Sequence, residues 1–224
     1  MLRLPFRLLA LLVACPLLLA ACGGDSDKEA AATPTATEAQ TASGCEKVEA
    51  PEAKSVKLPK PKGVLDPAKT YVAKLGTSCG DFEITLDAKR APKTGGSFKY
   101  LADKGFFDGV SFHRIAPGFV IQGGDPTGSG SGGPGYSIVE PPPKSLTYEK
   151  GVVAMAKTET DPPGTSGSQF FIVTGEVIDL PPDYAVLGKV TGGQDVVDKI
   201  AVDGDETEQP IDPVVMTSVK VATR

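Results

Sequence analysis

Hydrophobic and polar residues alternate along several short stretches of this chain, and this pattern predicts a domain made mainly of β-strands. Residues 71–75 and 82–86 alternate with a period of two, and residues 77–81 between them are typical of a hairpin connection. Further short strands are predicted at 110–115, 119–122, 152–156, 169–173, 185–190 and 215–221. Many short strands separated by glycine-rich turns favour a closed barrel.

Two stretches instead repeat their hydrophobic residues at intervals of three and four, as an α-helix does. The first is predicted to begin at Pro92, which suits the first turn of a helix, and to end near Gly105. It carries Phe98 and Leu101 on one face. The second spans 194–201 and places Val196, Val197 and Ile200 on one face. The barrel is therefore expected to carry two helices.

The densest concentration of chemical groups lies in residues 112–125, which read FHRIAPGFVIQGGD. The Pro-Gly pair at 117–118 predicts a turn between two short strands. Because side chains alternate along a strand, Arg114 is expected to share a face with Phe112, while His113 points the other way. Arg114 is a permanent cation, so it can donate hydrogen bonds at any relevant pH.

The second half of this segment supplies an amide beside apolar groups. Val120 and Gln122 are expected to share one face of the strand, and Phe119 and Ile121 the other. An arginine and a glutamine above an apolar surface can bind a ligand that is mostly hydrophobic but has one polar atom to be addressed. The segment is therefore the candidate functional site.

The same segment closely resembles the signature of the cyclophilins, which are peptidyl-prolyl cis/trans isomerases. The resemblance continues upstream in APKT at 91–94 and downstream in Met155-Ala156, in GSQFFI at 167–172 and in LGKV at 187–190. It covers residues 70 to 221 in one unbroken order. It implies a closed eight-stranded antiparallel β-barrel capped by two α-helices, an isomerase that needs no cofactor, and a monomer that acts on proline-containing polypeptides.

The resemblance also implies roles for individual residues. Arg114 matches the catalytic arginine of the family, which donates toward the prolyl nitrogen. Gln122 matches the glutamine that contacts the substrate backbone and steadies this arginine. The apolar proline pocket is matched by four residues, of which Phe119 and Phe171 are grouped with the catalytic residues: Phe119, Val120, Phe171 and Leu180.

Further positions match residues that line the neighbouring peptide subsites, largely through backbone groups. These substrate-binding positions are Met155, Ala156, Lys157 and Gln169, together with His113 and Tyr184. Proline isomerisation involves no proton transfer, so a structural role is expected for the His113 ring. Many relatives have histidine where Tyr184 stands. The family often has tryptophan just before Leu180, where this chain has Asp179, so weaker binding of cyclosporin-type ligands is expected.

Two other functions compete with the isomerase as interpretations of this sequence. The same pocket would serve a membrane-tethered binding module or chaperone that grips proline peptides with little turnover, and slow exchange despite measurable peptide binding would favour that module. Residues 128–133 fit the dinucleotide pattern G-x-G-x-x-G, but Asp-Pro-Thr precedes them and Pro-Gly-Tyr follows them. A dinucleotide fold requires a strand before this pattern and a helix after it. A flexible loop is therefore predicted at 128–133.

The N-terminus carries targeting signals rather than a fold. Residues 1–21 have a basic start and an apolar run too short to span a bilayer, as a secretory signal does. They end in LAA before Cys22, which fits the lipobox of a bacterial lipoprotein signal peptide, where the cysteine is acylated. We therefore expect lipid attachment at Cys22, a flexible and proline-rich tether at 22–68, and the isomerase domain at 69–224. The protein would be anchored to a membrane of the bacterial cell envelope, on the extracytoplasmic side, and would act on exported or unfolded polypeptides.

Net charge and cysteine content bear on three further properties: nucleic-acid binding, disulfide formation and metal binding. The formal net charge is −5, and no basic patch is evident, so nucleic acid is not an expected partner. Cys15 leaves with the signal peptide and Cys22 takes lipid, which leaves Cys45 and Cys79 as an even pair in an oxidising compartment. We predict a disulfide between them, with Cα atoms about 4.4–6.8 Å apart, while two free thiols remain the alternative. No metal site is expected, because two cysteines and one histidine are too few ligands for zinc.

Overall fold

The computed structural model describes residues 41 and 43–224. The predicted signal peptide, Cys22 and the first part of the predicted tether lie outside the described residues. Neither helix within 43–224 is long and apolar enough to cross a membrane. The secondary structure runs in the order β1 Tyr71–Thr77, β2 Gly80–Leu86, α1 Pro92–Asp103, β3 Val110–Ala116, β4 Val120–Gly123, β5 Ile138–Val139, β6 Tyr148–Glu149, β7 Val152–Met155, β8 Thr165–Ser166, β9 Phe170–Val173, β10 Val177–Ile178, β11 Val186–Gly192, α2 Gln194–Ala201 and β12 Val215–Thr223.

Eight of these strands close into an antiparallel barrel, in the order β1-β12-β3-β4-β9-β7-β11-β2. The predicted eight-stranded barrel with two helices is therefore confirmed. The first hairpin is tighter than the sequence suggested, because β1 and β2 pair as far as Thr77 and Gly80 and leave a turn of two residues. The sequence did not predict β5, β6, β8 and β10, which form two separate two-stranded ribbons. Two residues are too few to show a hydrophobic period.

The barrel interior is filled by apolar side chains, with an aromatic cluster beneath α1. Phe98 of α1 lies 4.9 Å from Phe107 and 5.7 Å from Phe170 of β9, measured between ring centroids. Phe112 of β3 meets Phe170 edge to face at 6.1 Å. All four rings are fully buried. Pairs in such edge-to-face geometry contribute about 0.5–1.5 kcal/mol beyond the area that they bury.

The ends of α1 follow the sequence signals, with one long-range addition. Pro92 occupies the first turn, where its missing N–H costs nothing. No side chain at the N-cap caps the helix; instead, the carboxylate of Glu140 accepts hydrogen bonds from the backbone N–H groups of Lys93 and Thr94, at 3.2 and 2.7 Å. Gly105, at φ +65°, takes the left-handed conformation that ends many helices.

Residues 45–65, predicted as part of the tether and linker, lie along the barrel, and we call them the strap. A disulfide joins Cys45 to Cys79 in the β1–β2 turn, and their Cα atoms are 4.2 Å apart, just below the expected range. Leu65 is buried against the core. Backbone hydrogen bonds also link the strap to the carbonyls of Pro126, Pro134 and Pro92. The folded unit therefore extends N-terminal of residue 69. The composition of the strap indicated an extended chain, and it is extended, but composition does not reveal docking.

Candidate active site

A β-bulge in β3 decides where Arg114 points. Phe112 pairs with Gly123 of β4, whereas Arg114 pairs with Gln122, so His113 is the extra residue of the bulge. Phe112 can therefore remain in the barrel core while Arg114 faces outward. The expectation that Arg114 and Phe112 share a face is wrong, because a bulge inserts one residue into the alternation. Such a bulge leaves no trace in hydrophobic periodicity.

Arg114 is held from two sides at the edge of a pocket. Its Nε donates to Oε2 of Glu208 at 2.7 Å, and its Nη1 donates to Oε1 of Gln122 at 3.4 Å. The guanidinium carbon lies 5.7 Å from the centroid of the Phe119 ring. About a third of the Arg114 side chain is exposed. The remaining N–H groups of the guanidinium are therefore available to a ligand.

Gln122 belongs to a chain of hydrogen bonds that leads away from Arg114. Its Nε2 donates to Oε1 of Gln169 at 3.0 Å. The Nε2 of Gln169 donates in turn to the backbone carbonyls of Gly130 and Gly132, each at 2.9 Å. Each amide is thereby oriented by its neighbour. The amide of Gln122 is fixed with its oxygen toward Arg114.

The pocket beside Arg114 has a volume of about 260 Å³ and an apolar floor. Phe171 and Val120 are nearly fully buried in a small hydrophobic cluster on the outer face of the barrel, separate from the main core. Phe119 and Leu180 pack against this cluster. Phe119 was expected to share a face with Ile121, but it precedes β4 and lies on the pocket side, whereas Ile121 lies in the main core.

Tyr184 lines the pocket, and Tyr148 holds it in place. The hydroxyl of Tyr148 donates to the backbone carbonyl of Tyr184 at 3.1 Å and accepts from its N–H at 3.2 Å. The Tyr184 ring meets Phe171 edge to face at 5.4 Å. Burial raises the pKa of Tyr148 to about 12, so this hydroxyl keeps its proton and can serve both bonds.

Nine of the twelve predicted catalytic and substrate-binding residues line this pocket: Arg114, Phe119, Val120, Gln122, Ala156, Lys157, Phe171, Leu180 and Tyr184. Gln169 lines the adjoining groove instead. The Met155 side chain is buried in the main core, so only its backbone is left for a role in binding. Asp179, which the sequence resemblance matched to the family's tryptophan, is exposed and does not line the pocket.

His113, which was predicted as a substrate-binding position, lines neither the pocket nor the adjoining groove. Both of its ring nitrogens are buried without a hydrogen-bond partner among the described residues. Burial lowers the pKa of His113, an effect that nearby Asp125 opposes and Arg114 reinforces. The bulge that orients Arg114 therefore carries a neutral ring at His113.

Glu208 is the site residue that sequence reasoning missed. It lies 94 positions from Arg114 in the chain and belongs to no segment that resembled the family's site. Its backbone has φ +62°, and no other non-glycine residue among those described has a positive φ. Its carbonyl also accepts from the N–H of Ile115 at 2.9 Å, which ties this loop to β3. A strained backbone at a functional side chain is typical of active sites.

A second cavity adjoins the pocket and shares Gln122, Ala156 and Lys157 with it. This groove has a volume of about 770 Å³. One side is the glycine-rich loop 124–136, which contains the segment 128–133 that was predicted to be a flexible loop. Buried Asp125 stabilises the loop, because its carboxylate accepts hydrogen bonds from the N–H groups of Thr127 and Gly132 at 2.7 and 3.0 Å. Burial alone would raise the pKa of Asp125, but these hydrogen bonds outweigh it and lower the pKa.

Comparisons with known proteins agree with this geometry. The model of the cyclophilin type peptidyl-prolyl cis-trans isomerase/CLD family matches residues 72–221. Peptidyl-prolyl cis-trans isomerase A of Mycobacterium tuberculosis is 37% identical over 177 residues, which cover 70% of this chain and 94% of the relative. Peptidyl-prolyl cis-trans isomerase B of Bacillus subtilis is 47% identical over 112 residues, which cover 50% of this chain and 76% of the relative.

Solved structures show the same fold. A cyclophilin type peptidyl-prolyl cis-trans isomerase of Cryptosporidium parvum superposes with a TM-score of 0.63 at 30% identity, covering 69% of this chain and 99% of that chain. A second crystal structure of that protein, in the presence of the dipeptide Ala-Pro, gives a TM-score of 0.62 at 31% identity and covers 68% of this chain and 99% of that chain.

Proposed function

The chain belongs to the cyclophilin-type peptidyl-prolyl cis-trans isomerase family, and from that premise we propose which residues perform the isomerisation and where it takes place. The activity is the interconversion of cis and trans Xaa-Pro bonds in proline-containing peptides. The observation that carries the residue assignment is the placement of Arg114, oriented by Glu208 and Gln122, at the edge of the apolar pocket.

Isomerisation must overcome the resonance of the amide bond, a barrier of ~18–20 kcal/mol. In the twisted transition state the prolyl nitrogen becomes pyramidal and gains a lone pair. The proline ring would rest on Phe171 and Phe119, and a free N–H of Arg114 would donate to that lone pair. The ground-state amide nitrogen offers no such acceptor, so this bond stabilises the transition state selectively.

One hydrogen bond is not enough to explain an efficient enzyme. Reducing an uncatalysed time of about 100 s to about 1 ms requires roughly 7 kcal/mol of transition-state stabilisation. A hydrogen bond from a charged donor supplies about 1.5–3 kcal/mol. The remainder would come from holding the proline ring, from fixing the carbonyl side of the bond through Gln122, and from excluding water above the apolar floor.

A proline-peptide exchange assay on the intact protein tests the assignment. Arg114→Ala should lower kcat/KM at least about 100-fold while the thermal unfolding temperature stays near that of the wild type. Peptide affinity measured in parallel separates the isomerase from the binding module. Turnover that is already slow in a wild type that binds peptide well would support the module. A folded Arg114→Ala protein with wild-type exchange rates would refute the role of Arg114.

We further propose that the enzyme works at a bacterial cell envelope as a monomer on exported polypeptides. The support is the signal-like segment 1–21, the lipobox before Cys22 and the cysteine pair at 45 and 79, which suits an oxidising compartment. Two or more acyl chains would anchor the protein stably. Cys22→Ala should move the protein from the membrane to the soluble fraction and abolish the mass added by lipid. Lipid that remains on the Cys22→Ala protein would show that any anchor lies elsewhere.

A further inference from the structure

The strap is bound to the same loop that borders the groove next to the proline pocket. The backbone N–H of Lys54 donates to the carbonyl of Pro126, and that of Leu58 donates to the carbonyl of Pro134, both at 2.8 Å. These two hydrogen bonds attach the strap to both ends of the loop 124–136. Val56 and Leu58 also pack against the main core. The strap is therefore built into the domain at this point.

The strap and the loop pack so closely at Gly135 that a side chain there would require one of them to shift. A Cβ there would lie 2.8 Å from Cγ of Lys57 and 3.3 Å from its Cα. Between its two backbone hydrogen bonds, the strap contributes Ser55, Val56 and Lys57 to the lining of the groove. The groove thus has one wall that lies outside residues 72–221, the span matched by the family model.

The part of the strap that forms this wall carries only positive charge. The strap has four lysines between positions 54 and 62 and no acidic residue there, although the chain as a whole has a net charge of −5. Lys57 makes no ion pair with any described residue. Lys157 stands where the groove meets the proline pocket. Asp161 also lines the groove and keeps its negative charge, but nearby Lys157, whose Nζ donates to the Asp161 carbonyl at 3.2 Å, offsets that charge.

We propose that the strap forms one wall of an extended substrate site and that Lys57 makes the enzyme select peptides with an acidic residue flanking the proline. This inference rests on the proposed function, because it takes the adjoining pocket as the place where proline binds. A peptide that fills the pocket must continue past Gln122, Ala156 and Lys157 to enter the groove. Its flanking side chain then meets Lys57, and an acidic one gains an attractive contact.

Charge reversal on the strap tests this selection. Peptides that differ only in having Glu, Gln or Lys next to the proline are compared by kcat/KM, and the readout is the ratio of the Glu peptide to the Lys peptide. Lys57→Glu should lower this ratio about fivefold at low salt and less at high salt. Lys60→Glu is the matched control, because it makes the same charge change on the exposed strap without lining the groove. Equal effects of the two variants would overturn the proposal.

A glycine pair provides an uncharged test of the wall. Gly135→Ala should push the strap away from the loop and reduce the preference for the Glu peptide. Gly128→Ala carries the same backbone strain at φ +69°, but its Cβ meets only the hydroxyl oxygen of Ser111 at 3.9 Å, so it should leave the preference unchanged. If both variants keep the wild-type preference, the strap is not a wall of the site.

The Gln peptide separates this inference from the proposed function. The two control variants, Lys60→Glu and Gly128→Ala, should isomerise it at the wild-type rate, because neither residue lines the groove or the pocket. A wild type that fails to isomerise any peptide would refute the proposed function. Peptide affinities from fluorescence anisotropy would then still decide whether Lys57 recognises acidic side chains, since binding requires no turnover.

Discussion

The proline pocket and the groove beside it are lined by different kinds of structural element. The pocket floor consists of buried side chains such as Phe171 and Val120, which belong to barrel strands and to a packed apolar cluster. The groove is lined by backbone and polar groups of a glycine-rich loop, and by a strap held through hydrogen bonds and one disulfide. Packed cores tolerate little change, whereas surface loops vary easily. We infer that the pocket performs the reaction common to all substrates and that the groove distinguishes among them.

Removing the pocket floor is the most direct test of this division of roles between the pocket and the groove. Phe171→Ala should lower kcat/KM about 100-fold for every peptide, whatever its flanking residue, because the proline ring loses its support. It should also lower the free energy of unfolding by about 3–5 kcal/mol. Ile200→Ala, at a buried position in α2, should cause a similar loss of stability and leave catalysis intact. Equal kcat/KM values in the two variants would contradict the assignment of the floor.

Loosening the strap should have the opposite profile, with lost stability and preserved chemistry. The disulfide spans 34 residues, and removing it should lower the free energy of unfolding by about 3–4 kcal/mol on the chain-entropy estimate. The double variant Cys45→Ser, Cys79→Ser should still isomerise a minimal peptide within about twofold of the wild-type rate, because no pocket residue belongs to the strap. Dithiothreitol should reproduce the effect in the wild type and leave the double variant unchanged. A large loss of turnover on the minimal peptide would show that the two regions are not independent.

Glu208 tests how firmly the pocket itself is preorganised. Glu208→Gln should lower kcat about threefold to tenfold and leave KM nearly unchanged, because an exposed ion pair is modest in energy and Arg114 is proposed to act in the transition state. Glu208→Ala and Glu208→Gly should lose the same activity, but the glycine variant should be more stable by about 1 kcal/mol, since φ +62° no longer strains it. A glycine variant that recovers wild-type kcat would show that the carboxylate does not position Arg114.

The smallest expected effect is that of pH on turnover. Arg114 keeps its charge and no proton is transferred, so kcat/KM should change less than about twofold between pH 6.5 and 9. Stability should respond instead. Burial holds the pKa of His113 in the folded protein below its ordinary value of about 6.5. As the pH falls through 6.5, the unfolded chain therefore binds more protons than the folded protein does. The contribution of the neutral ring to stability is present above pH 6.5 and is lost below it. In the His113→Gln variant this part of the destabilisation by acid should disappear. If the free energy of unfolding of this variant falls with pH as steeply as that of the wild type, His113 is not the group responsible.

The sequence predicted those parts of the molecule that follow from local pattern or from a contiguous motif. The helix at 194–201 was predicted with the bounds that the structure shows, because its buried residues repeat at helical spacing. Phe119, Val120, Gln122 and Phe171 were placed at one site because they lie in two short motifs that resemble a family. These features depend on neighbours in the chain, which a single sequence displays.

The features that the sequence did not reveal depend on contacts between distant segments. The bulge at His113 depends on pairing with β4, and the docking of the strap depends on carbonyls of the loop 124–136. Glu208 reaches Arg114 across 94 residues. An acidic residue in a polar turn looks like any other surface residue until the fold brings it beside an arginine. The relation between pocket and groove therefore became visible only in three dimensions.

The position of the Cys45–Cys79 disulfide also determines how a mechanical load would travel through the protein. The strap lies inside the covalent loop that this bond closes, since Leu65 and the groove wall come after Cys45 and before Cys79. A pull on the chain ahead of Cys45 would pass through the two sulfur atoms directly into the β1–β2 turn of the barrel. Because this path is much shorter than the backbone of the strap, the strap would carry little of that tension as long as the bond is intact. The disulfide would thus shield the groove wall from forces on the N-terminal side of Cys45, and the shape of the groove would change little under such a load.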